Sequence, residues 1–179
     1  GHRLRGTDFP LGGHQRRTAG DLLPDHGEEN LPYGTLPSPY GIGELGKSAY
    51  DFIDFLESSG QHLWQVLPLT HTGFGDSPYQ SFSSFAGQPL MISLDHLKEL
   101  DFLTEKDLSD CPVSDGKKVD YGNVIPWKQS VLKKAYEVFY EGSIVRKDMK
   151  DDFYDFCAEA GFWLDDYALF LTIKDLHQG

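Results

Sequence analysis

Apolar residues recur at helical spacing in three parts of the chain and gather into two short uninterrupted runs between them. In KSAYDFIDFLESSG (47–60), Ala49, Phe52, Ile53 and Leu56 follow the three- and four-residue steps of one helix face. Gly60 then stands where helices commonly stop. HLWQVLPL (62–69), closed by Pro68, is a short apolar run, and PLMISLD (89–95) is another. Both predict strands, the first of them buried. HLKEL and TEKDL predict short helices, the second with Thr104 and Asp107 at the reciprocal positions of a capping box. PWKQSVLKKAYEVFYEG (126–142) predicts a helix that opens on proline, a residue suited to the first turn. Trp127, Val131, Leu132, Ala135, Val138 and Phe139 fall on one face of it. A final helical region, 148–176, is interrupted at Gly161 and carries Phe153, Phe156, Phe162, Trp163, Tyr167, Phe170 and Leu171.

Helix, strand, long loop, strand and helices make an α/β order whose crossover connections predict parallel strands. In such sheets and barrels the loop after a strand's carboxyl end carries the chemistry. TGFGDSPYQSFSSFAG (72–87) occupies that place directly after the first apolar run. It holds one charge, Asp76, among three glycines, four serines and four aromatic rings. Tyr79, behind Pro78, offers a flat apolar ring and a hydroxyl, which together suit the face and rim of a sugar. The same residue also suits a plainer role as an anchor of its own loop. Phe82 and Phe85, three residues apart, read as core anchors. Asp76 is placed either to accept sugar hydroxyls or to bond its own backbone in a turn.

Other residues with chemical potential carry less. Asp165 and Asp166 form a carboxylate pair in sequence, but adjacent helical residues point ~100° apart. Cleavage at a glycosidic bond needs two carboxyls ~5–9 Å apart across it. They read as solvated or locally bonded groups. His71 has no carboxylate, serine or cysteine partner near it in sequence and reads as a loop histidine rather than a general base. Gly41, Gly43 and Gly46 of YGIGELG match the letters of a dinucleotide fingerprint. PSPY to their left does not suit the strand that fingerprint requires.

Composition narrows the partners. The chain of 179 residues has a net charge of −12, which excludes the basic stripe that nucleic acid demands. No stretch approaches the ~20 apolar residues of a membrane span, and no signal-peptide pattern opens the chain. Cys111 and Cys157 have no metal spacing and no disulfide framework, so a reduced, cytoplasmic setting is expected. Charge also divides the chain. Arg3, Arg5, Arg16 and Arg17 are opposed only by Asp8 in the first 17 residues, whereas the remainder is acidic. Residues 1–30, without sustained apolar period, are expected to be a separate basic segment, either disordered or foreign to the rest. Residues 31–179 are expected to be the domain.

Five motifs then occur in order: LPSPYGIGELG, WQVLPL, GDSPYQSFSSFAG, VDYGNVIPWK and FWLDDYALF. Together, across about residues 31–176, they resemble the amylomaltases or disproportionating enzymes, the 4-α-glucanotransferases. That resemblance implies the amino-terminal part of an incomplete (β/α)₈ TIM-type barrel with a helical insertion. It implies transfer of α-1,4-glucan segments by a retaining double displacement through a covalent glycosyl-enzyme, with no cofactor. Maltodextrins and amylose are the implied partners. By resemblance Tyr79 lines the glucan cleft near the cleaved bond and Ser77 contacts the sugar, with Asp76 beside them. Phe74 stands where the family often has tyrosine at an outer glucan site; phenylalanine keeps the stacking face and loses the hydroxyl. The family's nucleophile, acid/base and stabilising carboxylates lie in later strands, beyond residue 179. HGEENLP (26–32) stands in place of the family's apolar first strand. The chain is therefore expected to supply one wall of the cleft without the catalytic carboxylates. The alternatives are a non-catalytic glucan-binding or inert truncated piece and, further off, a related α-glucan hydrolase.

Overall fold

The computed structural model describes residues 38–71, 79–112, 119–142 and 147–177. Helix α1 spans Lys47–Ser58 and buries Ala49 and Leu56, and Gly60 just beyond it takes φ +71°. A 3-10 turn at Pro89–Met91 leads into α2, Leu94–Glu99. A second 3-10 turn, Glu105–Leu108, carries the capping box of Thr104 and Asp107. Helix α3, Tyr121–Glu141, is followed by α4, Lys147–Ala160, and α5, Leu164–Leu176.

The longer helical expectations stand, while TEKDL forms a 3-10 turn, α2 opens at Leu94 ahead of HLKEL, and α3 opens ahead of its expected start. Helix α3 starts at Tyr121, because the Asp120 carboxylate accepts from the Asn123 amide and caps it there. Pro126 consequently lies inside the helix, where it cannot bond the carbonyl one turn back. The region 148–176 divides at Gly161 into α4 and α5, as its sequence requires.

Neither predicted strand is present among the described residues, so the expectation that 62–69 and 89–95 form parallel strands is corrected. Residues 62–69 run without regular structure, with Leu63 54% and Val66 43% exposed instead of buried. Among the described residues an isolated bridge joins Thr70 to Gly87 and is antiparallel. An apolar run states only that a segment favours burial; pairing into a sheet requires a second segment brought alongside. The run 89–95 fails for a local reason. Pro89 sits at the first position of a 3-10 turn whose cap is the Gln88 side chain, and the Ser93 hydroxyl accepts from the His96 amide to start α2. Those start signals outweigh the apolar content.

Two apolar clusters join the loop 38–46, the two 3-10 turns, α2 and α3. Tyr40, Leu94, Phe102, Leu103, Leu108, Val131 and Ala135 form the larger, with Trp127, Leu132, Val138 and Phe139 packed against it. Ile42, Leu90, Met91 and Val124 form the smaller. Helix α3 serves both with a single stripe of Val124, Lys128, Val131 and Ala135. Lys128 is the polar member of that stripe. It is wholly buried, and its Nζ donates to Glu44 Oε2 at 2.7 Å. The other oxygen of Glu44 accepts from the Leu94 amide at 3.2 Å, which ties the loop 38–46 to the start of α2.

Candidate functional site

The loop after residue 71 is closed at its base by backbone. The Gln88 amide donates to the Leu69 carbonyl at 2.9 Å, and the His71 amide to the Ala86 carbonyl at 3.4 Å. These bonds flank the Thr70–Gly87 bridge, so chain leaves the body and returns at one point. Serines shape the return. Ser81 Oγ donates to the Ser83 carbonyl at 2.6 Å, and Ser83 Oγ accepts from the Phe85 and Ala86 amides at 3.1 Å. Ser81 and Ser83 therefore build the turn, as short hydroxyl side chains commonly do.

Aromatic rings fix this loop to α5 and to the turn before it. The Phe82 ring meets His71 edge-on at 6.2 Å and Phe170 at 5.5 Å, and Lys174 Nζ lies 5.3 Å from its centroid. Phe85 meets Phe162 edge-on at 5.2 Å and stacks on Trp163 at 5.9 Å. Both phenylalanines anchor the loop through these ring contacts, but at its surface and not in the core as expected, since Phe82 is 42% and Phe85 61% exposed. Contacts of this kind add ~0.5–1.5 kcal/mol each to plain burial. His71 Nδ1 stands 2.8 Å from the Tyr167 hydroxyl, a partner 96 residues away. Burial, and then the Lys174 ammonium, hold the imidazole below its ordinary pKa, while Asp175 opposes them. Burial raises that of the Tyr167 hydroxyl.

Tyr79 is 71% exposed at the edge of this anchored loop, so its ring is presented to solvent. Phe74, Asp76 and Ser77 lie outside the described residues. The structure thus locates Tyr79 relative to its anchors and leaves the other three as sequence expectations. Asp165 and Asp166 are exposed in the first turn of α5, where carboxylates favour the helix dipole. A groove of about 710 Å³ opens beside the loop's base, with Leu69 and Gly87 at one end and Tyr50, Lys47 and Asp95 at the other.

The glycines of YGIGELG have packing roles. Gly41 takes φ +75°, and a Cβ there would stand 2.9 Å from Val124 Cγ2. A Cβ on Gly46 would meet Ser93 Oγ at 2.7 Å. The same segment supplies Glu44 to Lys128 and Tyr40, whose hydroxyl donates to Asp95 Oδ1 at 2.6 Å. Burial and that carboxylate together hold the Tyr40 hydroxyl protonated. Burial drives Glu44 up and Lys128 down in pKa, and their mutual contact resists both shifts. Sequence reading missed this pair. The available signal was Lys128 itself, a cation at the i+4 position from Val124 on an otherwise apolar stripe.

Among the described residues no group of three or more His, Cys, Asp and Glu side chains is arranged to hold a metal ion. No helix among them is long and apolar enough to cross a membrane.

A family profile described as 4-alpha-glucanotransferase (Glyco_hydro_77) matches residues 31–179. The 4-alpha-glucanotransferase of Clostridium butyricum is 47% identical over 143 residues, covering 78% of this chain and 28% of that protein. The enzyme of Synechocystis is 44% identical over 145 residues, covering 81% of this chain and again 28% of the relative. Among solved structures, the amylomaltase from Streptococcus agalactiae in complex with acarbose superposes with a TM-score of 0.72 at 38% identity, across 81% of this chain and 28% of that one. The chain spans little more than a quarter of the length of these relatives, and within that span it belongs to the 4-alpha-glucanotransferase family.

Proposed function

We propose that this chain forms one wall of the glucan cleft of a 4-α-glucanotransferase, which passes α-1,4-glucan segments between maltodextrins. The observation that carries the reading is Tyr79, exposed on a loop whose base and return are both fixed. A ring held in place by its neighbours stacks on a sugar face without first being ordered, and its hydroxyl bonds the rim. Ser77 and Asp76 would supply further polar contacts, and Phe74 a stacking face at an outer site. The acarbose complex of the S. agalactiae amylomaltase supports an α-glucan-like ligand. The barrel architecture and a cytoplasmic setting belong to this proposal, the latter supported by the free thiols Cys111 and Cys157.

A retaining double displacement needs a nucleophile and an acid/base ~5–5.5 Å apart. We assign neither role to Asp165 or Asp166, which fall side by side on one helix. A second reading is that the 179 residues by themselves bind glucan without cleaving it, since the carboxylate pair that the sequence offers, Asp165 and Asp166, lies side by side on one helix.

One experiment addresses both. Maltoheptaose is titrated into the isotopically labelled chain and chemical shifts are followed, while maltotriose turnover is monitored by chromatography. Binding should move Tyr79 resonances, and Tyr79→Ala should weaken it by roughly 30-fold or more, the equivalent of ~2 kcal/mol of stacking and hydrogen bonding. Unchanged affinity in Tyr79→Ala removes this residue from the site. Glucose and longer maltodextrins accumulating in proportion to protein would show that the chain itself is catalytic.

A further inference from the structure

FWLDDYALF contributes something to the loop that the proposed function does not use. Its tyrosine, Tyr167, is half-buried, and its hydroxyl pairs with His71, the last described residue before the loop. One helical turn on, Phe170 lies under Phe82, and Lys174 reaches the same ring from the next turn. Just before the helix, Phe162 and Trp163 receive Phe85. The contacts therefore run along one side of α5 and its leading turn, and they meet the loop on both sides of Tyr79.

We infer that α5 is a positioning element for Tyr79: the His71–Tyr167 hydrogen bond and the Phe82–Phe170 contact clamp His71 and the described return 79–87 to one helix and so set the pose of Tyr79. The inference rests on the proposed function for its ligand. The clamp itself rests on geometry. A loop fixed only by its two backbone bonds would pivot about the Thr70–Gly87 bridge. Contacts at His71 and on the return 79–87 remove that freedom, and ordering done in advance is not charged against ligand binding. Tyr167 and Phe170 are positioning residues, since neither is assigned a contact with the sugar.

The test uses the 179-residue chain and the variants Tyr167→Phe and Phe170→Leu, with Tyr136→Phe on α3 as a control. Tyr167→Phe removes one hydroxyl and keeps the ring beside Phe170 and Trp163. Amide hydrogen exchange reads the clamp without any ligand. Exchange at the His71 and Gln88 amides should rise about tenfold in Tyr167→Phe and in Phe170→Leu, with Leu97 in α2 and Val131 in α3 unchanged. Maltoheptaose affinity should fall by about three- to tenfold, without a matching loss of melting temperature. The Tyr136→Phe control should change neither reading. Exchange equal to the parent chain overturns the clamp. Faster exchange with unaltered affinity overturns its positioning role. Failure of the parent chain to bind maltoheptaose, or of Tyr79→Ala to weaken binding, overturns the glucan reading instead, and the exchange rates then decide the clamp alone.

Discussion

Lys128 is the residue on which the described core depends most sharply. It has no exposed surface and one carboxylate partner, Glu44, itself 6% exposed. Replacing it with alanine leaves that carboxylate buried and uncompensated, a change that costs about 3–5 kcal/mol in comparable pairs. Lys128→Ala should lower the urea midpoint by that equivalent, whereas Glu44→Gln combined with Lys128→Met should recover much of the loss. A double variant no more stable than Lys128→Ala would show that the charge itself, rather than its compensation, holds the loop 38–46 to α3. The residue is visible in the sequence as a cation on an apolar stripe. Its partner is not, since 84 residues separate them and only the fold brings them to 2.7 Å.

At the scale of elements, the contact between loop and α5 has a pH dependence whose sign follows from His71. Burial and Lys174 hold its folded pKa below the ordinary value of 6.5, Asp175 partly opposes them, and Tyr167 faces the ring as its hydrogen-bond partner. In the window just below pH 6.5 the unfolded chain therefore binds more protons than the folded one. The stability contributed by neutral His71 is complete above about pH 6.5 and declines as pH falls through that value. Denaturation of the parent and of His71→Gln between pH 5 and 8 should show their stability difference shrinking on the acid side. A difference that is constant or grows there would contradict the shift. The helices are legible in the sequence: α1 from Ala49, Phe52, Ile53 and Leu56, α3 from Trp127 through Phe139, and the capping box from Thr104 and Asp107. Each depends on residues within a few turns of one another. The start of α3 is less legible, because Pro126 suits a first turn while Asp120 caps the chain before it.

At the scale of the molecule, much apolar surface faces solvent. Leu63 and Val66 of the expected buried strand are open, as are Phe162 and Leu176 around α5. Large apolar side chains exposed in this number promote association. In isolation the chain should bind a hydrophobic dye, scatter light at micromolar concentration, and melt below ~60 °C. Val66→Lys should reduce scattering without lowering the melting temperature. A monomer with a sharp transition above ~60 °C would show instead that these side chains find cover in solution. What the sequence determined alone was local or compositional. It determined the helix faces, their caps, the anchoring roles of Phe82 and Phe85, and the family to which residues 31–179 belong. Tertiary structure decided the rest. It left HLWQVLPL without strand structure, turned PLMISLD into a 3-10 turn and a helix start, paired Glu44 with Lys128, and brought Tyr167 to His71. The division has one physical cause. Periodicity and caps are energies between neighbours along the chain, whereas sheet pairing and buried polar partnership are energies between segments whose meeting no local pattern encodes.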